Sequence, residues 1–143
     1  MRVIVLFFCM LFLNANMGVL SAPQIAVENY FELFNQKNRE ALNQISGNPF
    51  VFNIGGVTSK YDEYGDAVDF DSLQENGWAY SRIHKSELIY EDDLTAMVSI
   101  NFSRYSSSNH PISTSDVIYV LVKRDEAWKV KAGFVDGDLS MGR

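Results

Sequence analysis

Hydrophobic and polar residues alternate most regularly near the end of the chain, between Ser113 and Asp136. Two alternating runs flank the short polar stretch 124–127, which is typical of a tight turn. Because successive side chains of a strand point to opposite faces of a sheet, the pattern predicts a β-hairpin with one strongly apolar face. The residues expected on that face are Val117, Tyr119, Leu121, Trp128, Val130, Ala132 and Phe134.

The turn residues Asp125 and Glu126 also predict which residues pair across the hairpin. We expect helices to cover the apolar face and the mixed opposite face to remain open to a partner. The expected pairs are Leu121 with Val130, Tyr119 with Ala132, and Val117 with Phe134. The mixed face is expected to carry Ile118, Val120, Val122 and Val135 beside Arg124, Lys129 and Lys131.

Helical spacing dominates the first part of the chain. Apolar residues recur at intervals of three and four over residues 24–36, which predicts a helix with one buried face. A second, short helix is expected over residues 39–45, capped at its start by Asn38 and ended by Gly47.

Strand patterns fill most of the middle of the chain. Residues 50–54, 78–90 and 94–105 alternate as strands do. Residues 57–77 show little periodicity, except that Asp71 resembles the cap of a short helix ending at Asn76. Helices therefore come first and a meander of strands last, which predicts an α+β fold with a curved antiparallel sheet around the N-terminal helix.

The first 22 residues have the three-part layout of a signal peptide. Arg2 precedes an uncharged apolar run, which small and polar residues follow up to Ala22. A membrane anchor is the alternative, but the apolar run is about half of the ~20 residues that span a bilayer. We therefore predict a signal peptide at 1–22, a single domain at 23–143, and export to the periplasm or beyond.

Composition narrows the classes of partner. The one cysteine, Cys9, lies within the predicted signal peptide, so the mature domain would have no disulfide. The chain has 18 acidic residues against 12 basic ones, and the basic residues are scattered. Clustered lysine and arginine are what engage phosphate backbones, so we expect neither nucleic acid nor an anionic membrane as a partner. The predicted domain shows no internal repeat and no linker.

The order of elements from Gln24 to Asp136 resembles that of the nuclear transport factor 2-like superfamily, which includes SnoaL-like polyketide cyclases and ketosteroid isomerases. The pattern of the last two predicted strands also resembles that superfamily, since residues 117–121 are followed by Ala127-Trp128-Lys129-Val130. The resemblance covers nearly all of the predicted domain. It implies a cone-shaped fold with a pocket between the first helix and the concave sheet face. One such fold hosts many functions, so the activity does not follow from it.

If the pocket is catalytic, His84, Tyr30 and Tyr80 are the candidates from the sequence. A histidine can carry a proton near neutral pH, and a phenol can stabilise the oxyanion that forms next to a carbonyl. A polar row of Tyr80, Arg82 and His84 is also the pattern of a solvated outer face. Tyr30 is equally compatible with a role in the core.

The pocket lining expected from the resemblance is largely aromatic: Phe34, Phe52, Asn53, Tyr119, Trp128 and Phe134. Ketosteroid isomerases use an aspartate base, whereas the strand 50–54 offers Asn53, which cannot accept the proton. Asp69 or Asp71 could replace that base only if the irregular stretch folds over the pocket. Neither a cofactor nor a metal site is expected, since two histidines and no cysteine in the mature domain make a poor ligand set.

Two hypotheses remain open after this reading. In the first, an exported, non-catalytic domain binds a small apolar molecule, forms a homodimer through the outer face of residues 113–136, or does both. In the second, a cofactor-free isomerase or dehydratase uses a histidine or aspartate base and a tyrosine oxyanion partner.

Overall fold

The computed structural model describes residues 20–143. Nearly all of the predicted signal peptide lies outside these residues, so cleavage and export stay predictions. None of the helices in the described range has the length and apolar character needed to cross a bilayer.

Three α-helices, one 3-10 helix and six strands make up the described chain. In chain order they are α1 (Ala22–Asn35), α2 (Arg39–Ile45), β1 (Ser46–Ile54), β2 (Val57–Tyr61), the 3-10 helix (Tyr64–Ala67), α3 (Phe70–Glu75), β3 (Tyr80–Glu91), β4 (Thr95–Tyr105), β5 (Pro111–Arg124) and β6 (Ala127–Val135).

The six strands form one sheet in the order β2-β1-β6-β5-β4-β3. Neighbouring strands are antiparallel except β1 and β6, which run parallel and make the sheet mixed. The predicted α+β class is confirmed, with this one parallel pair in place of a purely antiparallel sheet. Strand β2 was not predicted, because it is a short edge strand whose residues are mostly exposed and show no apolar alternation.

Helix α1 packs its aromatic face into the concave side of the sheet. Val27, Tyr30, Phe31 and Phe34 are buried at the three-and-four spacing that the sequence predicts. The ring of Phe31 meets that of Phe102 on β4 edge to face, with centroids 5.1 Å apart. Each such side chain contributes roughly 1.5–3 kcal/mol by leaving water, so this face anchors the helix to the sheet.

The ends of the short helices differ in part from the prediction. Asn38 caps α2 as expected, since its side-chain oxygen accepts from the backbone N–H of Ala41. Gly47 does not end that helix, because the chain becomes extended at Ser46 and passes directly into β1. Asp69, rather than Asp71, caps α3, because that helix begins at Phe70, two residues earlier than a cap at Asp71 implies.

The final hairpin departs from the predicted register at one residue. Leu121 pairs with Val130 as expected, but Val120 then pairs with Ala132, which leaves Lys131 as an extra residue on β6. This β-bulge shifts every later pair by one position. Tyr119 therefore pairs with Gly133, Val117 with Val135, and Ile118 with Phe134.

The bulge exchanges the faces of the residues that follow it. Gly133 and Val135 turn toward α1, while Phe134 turns away from it and is 47% exposed. A Cβ atom on Gly133 would lie 2.8 Å from the ring of Phe52 and 3.2 Å from that of Tyr119. The glycine thus provides the space in which these two rings pack. The apolar run alone fits an uninterrupted strand, which is why the sequence pattern did not reveal the bulge.

We expect Gly133→Ala to lower the free energy of unfolding by about 1–3 kcal/mol, because the added methyl group must displace a core ring. Gly47→Ala is the matched control. Its new Cβ would lie 3.1 Å from Cδ of Lys131 and 3.3 Å from a methyl group of Val122, neither of which belongs to a core ring. Urea denaturation of both variants measures the difference, and equal midpoints would contradict this account of the bulge.

Candidate functional site

The space between α1 and the concave sheet face, here called the hollow, is almost filled by side chains. The cavity that remains has a volume of about 10 Å³, which is room for about one water molecule. Its lining is mostly aromatic, with a few polar groups: Tyr30, Phe31, Phe34, Phe52, Ser81, Phe102, Arg104, Tyr119, Leu139 and Met141.

Two tyrosines that line the hollow, Tyr30 and Tyr119, form a cluster with Tyr64, which is buried in the adjoining core. The hydroxyl groups of Tyr30 and Tyr64 are 2.7 Å apart, and the ring of Tyr119 lies 5.2 Å from that of Tyr30. Burial raises the pKa of all three phenols well above the ordinary value of 10.0. At neutral pH they are therefore protonated and can donate hydrogen bonds.

Tyr64 comes from the 3-10 helix, in the stretch that the sequence left irregular. Side chains of α2 hold this helix in place. Arg39 donates to the backbone carbonyls of Gly65 and Val68, and the Asn43 side chain accepts from the N–H of Gly65 at 2.7 Å. Because these contacts join residues about 20 positions apart or more, no local sequence signal predicted that Tyr64 would contact Tyr30.

Arg104 is the most unusual residue of the site. It lies on the inner face of β4, is only 6% exposed, and forms no ion pair within residues 20–143. Its guanidinium donates to the carbonyl of Ser140 and contacts the Met141 sulfur at 3.6 Å, while its Nε–H meets no acceptor in the same range. Burial lowers its pKa, and the nearby phenols partly oppose that shift.

A buried charge without a counter-charge typically costs several kcal/mol. The sequence does contain a signal that Arg104 faces the interior. Ala96, Val98, Ile100 and Phe102 alternate along the inner face of β4, and the same alternation reaches Arg104 two residues later. Arg104 is not among the site residues predicted from the sequence, because the apolar part of this alternation ends at Phe102.

A second space, here called the mouth cleft, opens beside the hollow and has a volume of about 260 Å³. Arg104 and Leu139 line both spaces and so form the wall between them. The remaining residues of the mouth cleft are Leu73, Asn76, Trp78, Ile112, Ser113, Asp138 and Ser140.

The C-terminal segment, residues 137–143, crosses the boundary between the hollow and the mouth cleft. Met141 is buried within the core, and its backbone carbonyl accepts from the N–H of Asp69 at 2.8 Å. This segment contains no regular secondary structure, and its sequence pattern predicts no role for it.

The structure does not bring the three predicted catalytic residues together. Tyr30 faces the hollow, but Tyr80 and His84 lie on the opposite face of β3, where Tyr80 stacks on Tyr105 with ring centroids 5.1 Å apart. His84 Nε2 lies 2.8 Å from the Ser103 hydroxyl on that same face. Of the two interpretations of the row Tyr80, Arg82 and His84, the structure therefore shows the outer face, and Tyr80 and His84 do not share a pocket with Tyr30 because they point away from α1.

The predicted pocket lining is only partly found at the hollow. Phe34, Phe52 and Tyr119 line it. Asn53 does not, because it follows the inward-facing Phe52 and so points outward, where its amide donates to the Thr58 hydroxyl at 2.7 Å.

The two remaining aromatic residues of the predicted lining also lie elsewhere. Phe134 is on the outer face, because of the bulge at Lys131. Trp128 is half-buried near the end of the hairpin, where the Lys123 ammonium group lies 4.8 Å from its ring centroid. Neither ring lines the small cavity in the hollow.

The hollow contains donors but lacks an obvious base. Asp69 uses its carboxylate to cap α3, and Asp71 is exposed, so neither lines the small cavity. Among residues 20–143 no cluster of three histidine, cysteine or acidic side chains could hold a metal. The arrangement can therefore donate hydrogen bonds to a bound group and stabilise a negative charge on it.

Comparisons with known proteins agree with this architecture. A family model described as NTF2-like protein (DUF6841) matches residues 24–137. No curated protein matches the chain significantly.

Solved structures share the fold at low sequence identity. An NTF2-like protein with a cystatin-like fold from Novosphingobium aromaticivorans superposes with a TM-score of 0.65 at 13% identity, covering 80% of this chain and 79% of that one. A candidate ketosteroid isomerase from Shewanella frigidimarina gives 0.63 at 15% identity, covering 82% and 97%. A candidate dehydratase of the NTF2-like family from Streptomyces avermitilis gives 0.62 at 14% identity, covering 83% and 96%.

Sequence identities this low establish that the fold is shared, but they do not show that the proteins share an activity. The family model, in contrast, spans most of the chain, from the first turn of α1 to the residues just after β6. The chain belongs to the NTF2-like family DUF6841.

Proposed function

We propose that this domain binds one small, mostly apolar molecule at the mouth of its cone and does not transform it. The observation that carries the proposal is the position of Arg104, which lines both the mouth cleft of about 260 Å³ and the hollow. In the hollow this guanidinium lies beside protonated phenols and aromatic rings, and in the mouth cleft beside apolar side chains such as Leu73 and Ile112. An apolar pocket with a few convergent polar groups is the usual form of a small-molecule site.

The placement of the ionisable groups favours binding over proton transfer. A general base must lie within about 3 Å of the proton that it removes, directly or through one water. His84 is on the far face of the sheet, and the raised pKa of the phenols makes them poor bases at neutral pH. The descriptions isomerase and dehydratase belong to solved structures that share less than 25% sequence identity with this chain. No contact at the hollow supports either activity here.

We expect Ile112→Ala to weaken binding of the neutral fluorescent probe N-phenyl-1-naphthylamine about fivefold. Ile112 lines the mouth cleft, and its truncation removes about 1 kcal/mol of apolar contact. Ile89→Ala is the matched control, since Ile89 is equally exposed but does not line the cleft. A fluorescence titration measures both variants. Equal effects of the two substitutions, or the lack of saturable binding to the wild type, would overturn the proposal.

The same binding should be insensitive to pH between about pH 6 and pH 9. The phenols keep their protons in this range because burial raises their pKa, and they would lose them only above the ordinary value of 10.0. The guanidinium stays charged throughout. A histidine at the site would instead produce a transition near pH ~6.5. Titrations across this range separate the two cases.

A second proposal is self-association through the outer face of residues 113–136. On that face Ser99, Ile118 and Phe134 are aligned across β4, β5 and β6. Ile118 is 38% exposed and Phe134 is 47% exposed. The bulge at Lys131 thus adds a phenylalanine to a sheet face that already carries aliphatic side chains. Apolar patches of this kind often form symmetric interfaces between identical chains.

We expect Phe134→Glu to weaken a dimer at least tenfold, because two copies of the charge would be brought into an apolar contact. Ile25→Glu is the control, since Ile25 is exposed on α1, away from this face. Sedimentation velocity at micromolar concentrations measures the dimer. A wild-type chain that sediments as a monomer would exclude this interface.

A further inference from the structure

The neutral partners of Arg104 leave most of its hydrogen-bonding capacity unused. A guanidinium offers five N–H donors in a planar fork. Here one of them donates to the Ser140 carbonyl, another contacts the weakly accepting Met141 sulfur, and Nε–H has no acceptor within residues 20–143. A carboxylate matches this fork better than a carbonyl and a thioether do, since it accepts two parallel, charge-assisted bonds.

The two tail residues at Arg104 have the layout of an amphiphilic ligand. The Ser140 carbonyl presents an acceptor oxygen to the charged group, and the Met141 side chain extends into the hollow as a flexible apolar chain. Met141 lines the hollow and Ser140 lines the mouth cleft, so the segment fills the passage between the two spaces.

Few hydrogen bonds hold this segment in place, and its other contacts are the apolar packing of Leu139 and Met141 against the core. Its backbone makes one hydrogen bond to the start of α3, from the Asp69 N–H to the Met141 carbonyl, in addition to the bond from Arg104. Gly137 and Gly142 both adopt positive φ angles, at +75° and +83°. At Gly142 the backbone passes so close to α3 that a Cβ atom would lie 2.3 Å from the Asp69 carbonyl. The docked position therefore depends on a glycine at this point.

We propose that the ligand is a small monocarboxylate with an apolar body, and that it binds by displacing Ser140 and Met141. Its carboxylate takes the place of the Ser140 carbonyl on Arg104, and its apolar body takes the place of the Met141 side chain. This inference rests on the proposed function and adds the class of ligand and the group that it displaces. Displacement would widen the passage between the two spaces, because Met141 lines the hollow and Ser140 lines the mouth cleft.

A single negative charge is expected rather than a phosphate or a dicarboxylate. Asp138 lines the same mouth cleft and forms no ion pair with Arg104. A second negative charge on the ligand would therefore approach a carboxylate in the cleft, where like charges repel.

The test compares two probes of nearly equal shape, 1-naphthylacetate and its neutral amide, 1-naphthylacetamide, by isothermal titration calorimetry. In the wild type we expect the acid to bind at least about tenfold more tightly than the amide. In Arg104→Met the two should bind equally. Arg104→Lys keeps the charge but loses the fork, so an intermediate preference is expected.

Gly142→Ala tests the displacement, since its added methyl group should expel the segment from its seat while the residues around Arg104 stay unchanged. Both probes should then bind several-fold more tightly, because less of the protein is in the occluded state. Gly56→Ala is the matched control. Gly56 has nearly the same φ, +84°, but a Cβ there meets nothing within 4 Å.

Each outcome has one meaning. Equal affinity of acid and amide in the wild type would refute the carboxylate and leave the binding function intact. Wild-type affinity in Gly142→Ala, together with a circular dichroism spectrum like that of the wild type, would refute the displacement. No binding of either probe to the wild type or to Gly142→Ala would refute the binding function itself.

Discussion

The packing of one aromatic helix face into a curved sheet determines the rest of this structure. Phe31 and Phe34 of α1 contact rings of β4 and of the segment before β3, at centroid distances of 5.1 Å and 5.3 Å. Because aromatic pairs prefer edge-to-face contacts, these rings hold the helix at a fixed distance from the sheet. That distance leaves a hollow which the phenols and one arginine can reach, while polar residues of the outer strand faces cannot.

Within residues 20–143, the side chains that line the hollow include one positive charge, on Arg104, and no negative charge. Phenols inside a core are readily satisfied by one another, as the pair of Tyr30 and Tyr64 illustrates. A guanidinium is not satisfied in this way, and its burial without a carboxylate opposes folding. The fold compensates with backbone and sulfur contacts from the C-terminal segment. Stability and ligand recognition thus depend on the same few atoms, a common compromise at functional sites.

Local signals in the sequence predicted the elements well. The spacing of α1, the Asn38 cap and the alternation of β3 to β6 identified most helices and strands near their observed bounds, and their order identified the fold class. Register was harder to predict. The run after Lys131 consists of small and apolar residues that fit either face, so nothing in it distinguishes a regular strand from one with an extra residue.

The candidate site was only partly predictable, because its parts come from distant segments. Tyr30, Phe34, Phe52 and Tyr119 lie on regular elements, and their periodicity pointed to the interior. Tyr64 and Met141 reach it through long-range contacts of irregular segments, which leave no periodic trace. His84 was a different case, since the alternating polar row fitted both a pocket and an outer face, and the sequence alone did not decide between them.

The extra residue at Lys131 has a consequence beyond the hairpin. Upstream of it β6 presents Val130 to the interior, and downstream of it Gly133 and Val135 do so while Phe134 meets the surroundings. Deleting Lys131 would turn the Phe134 ring inward and, at the same time, turn Gly133, which has no side chain, outward. The lining of the cone and its external contact surface are therefore linked along β6, so that evolution could not readily alter one of them by insertion or deletion without also altering the other.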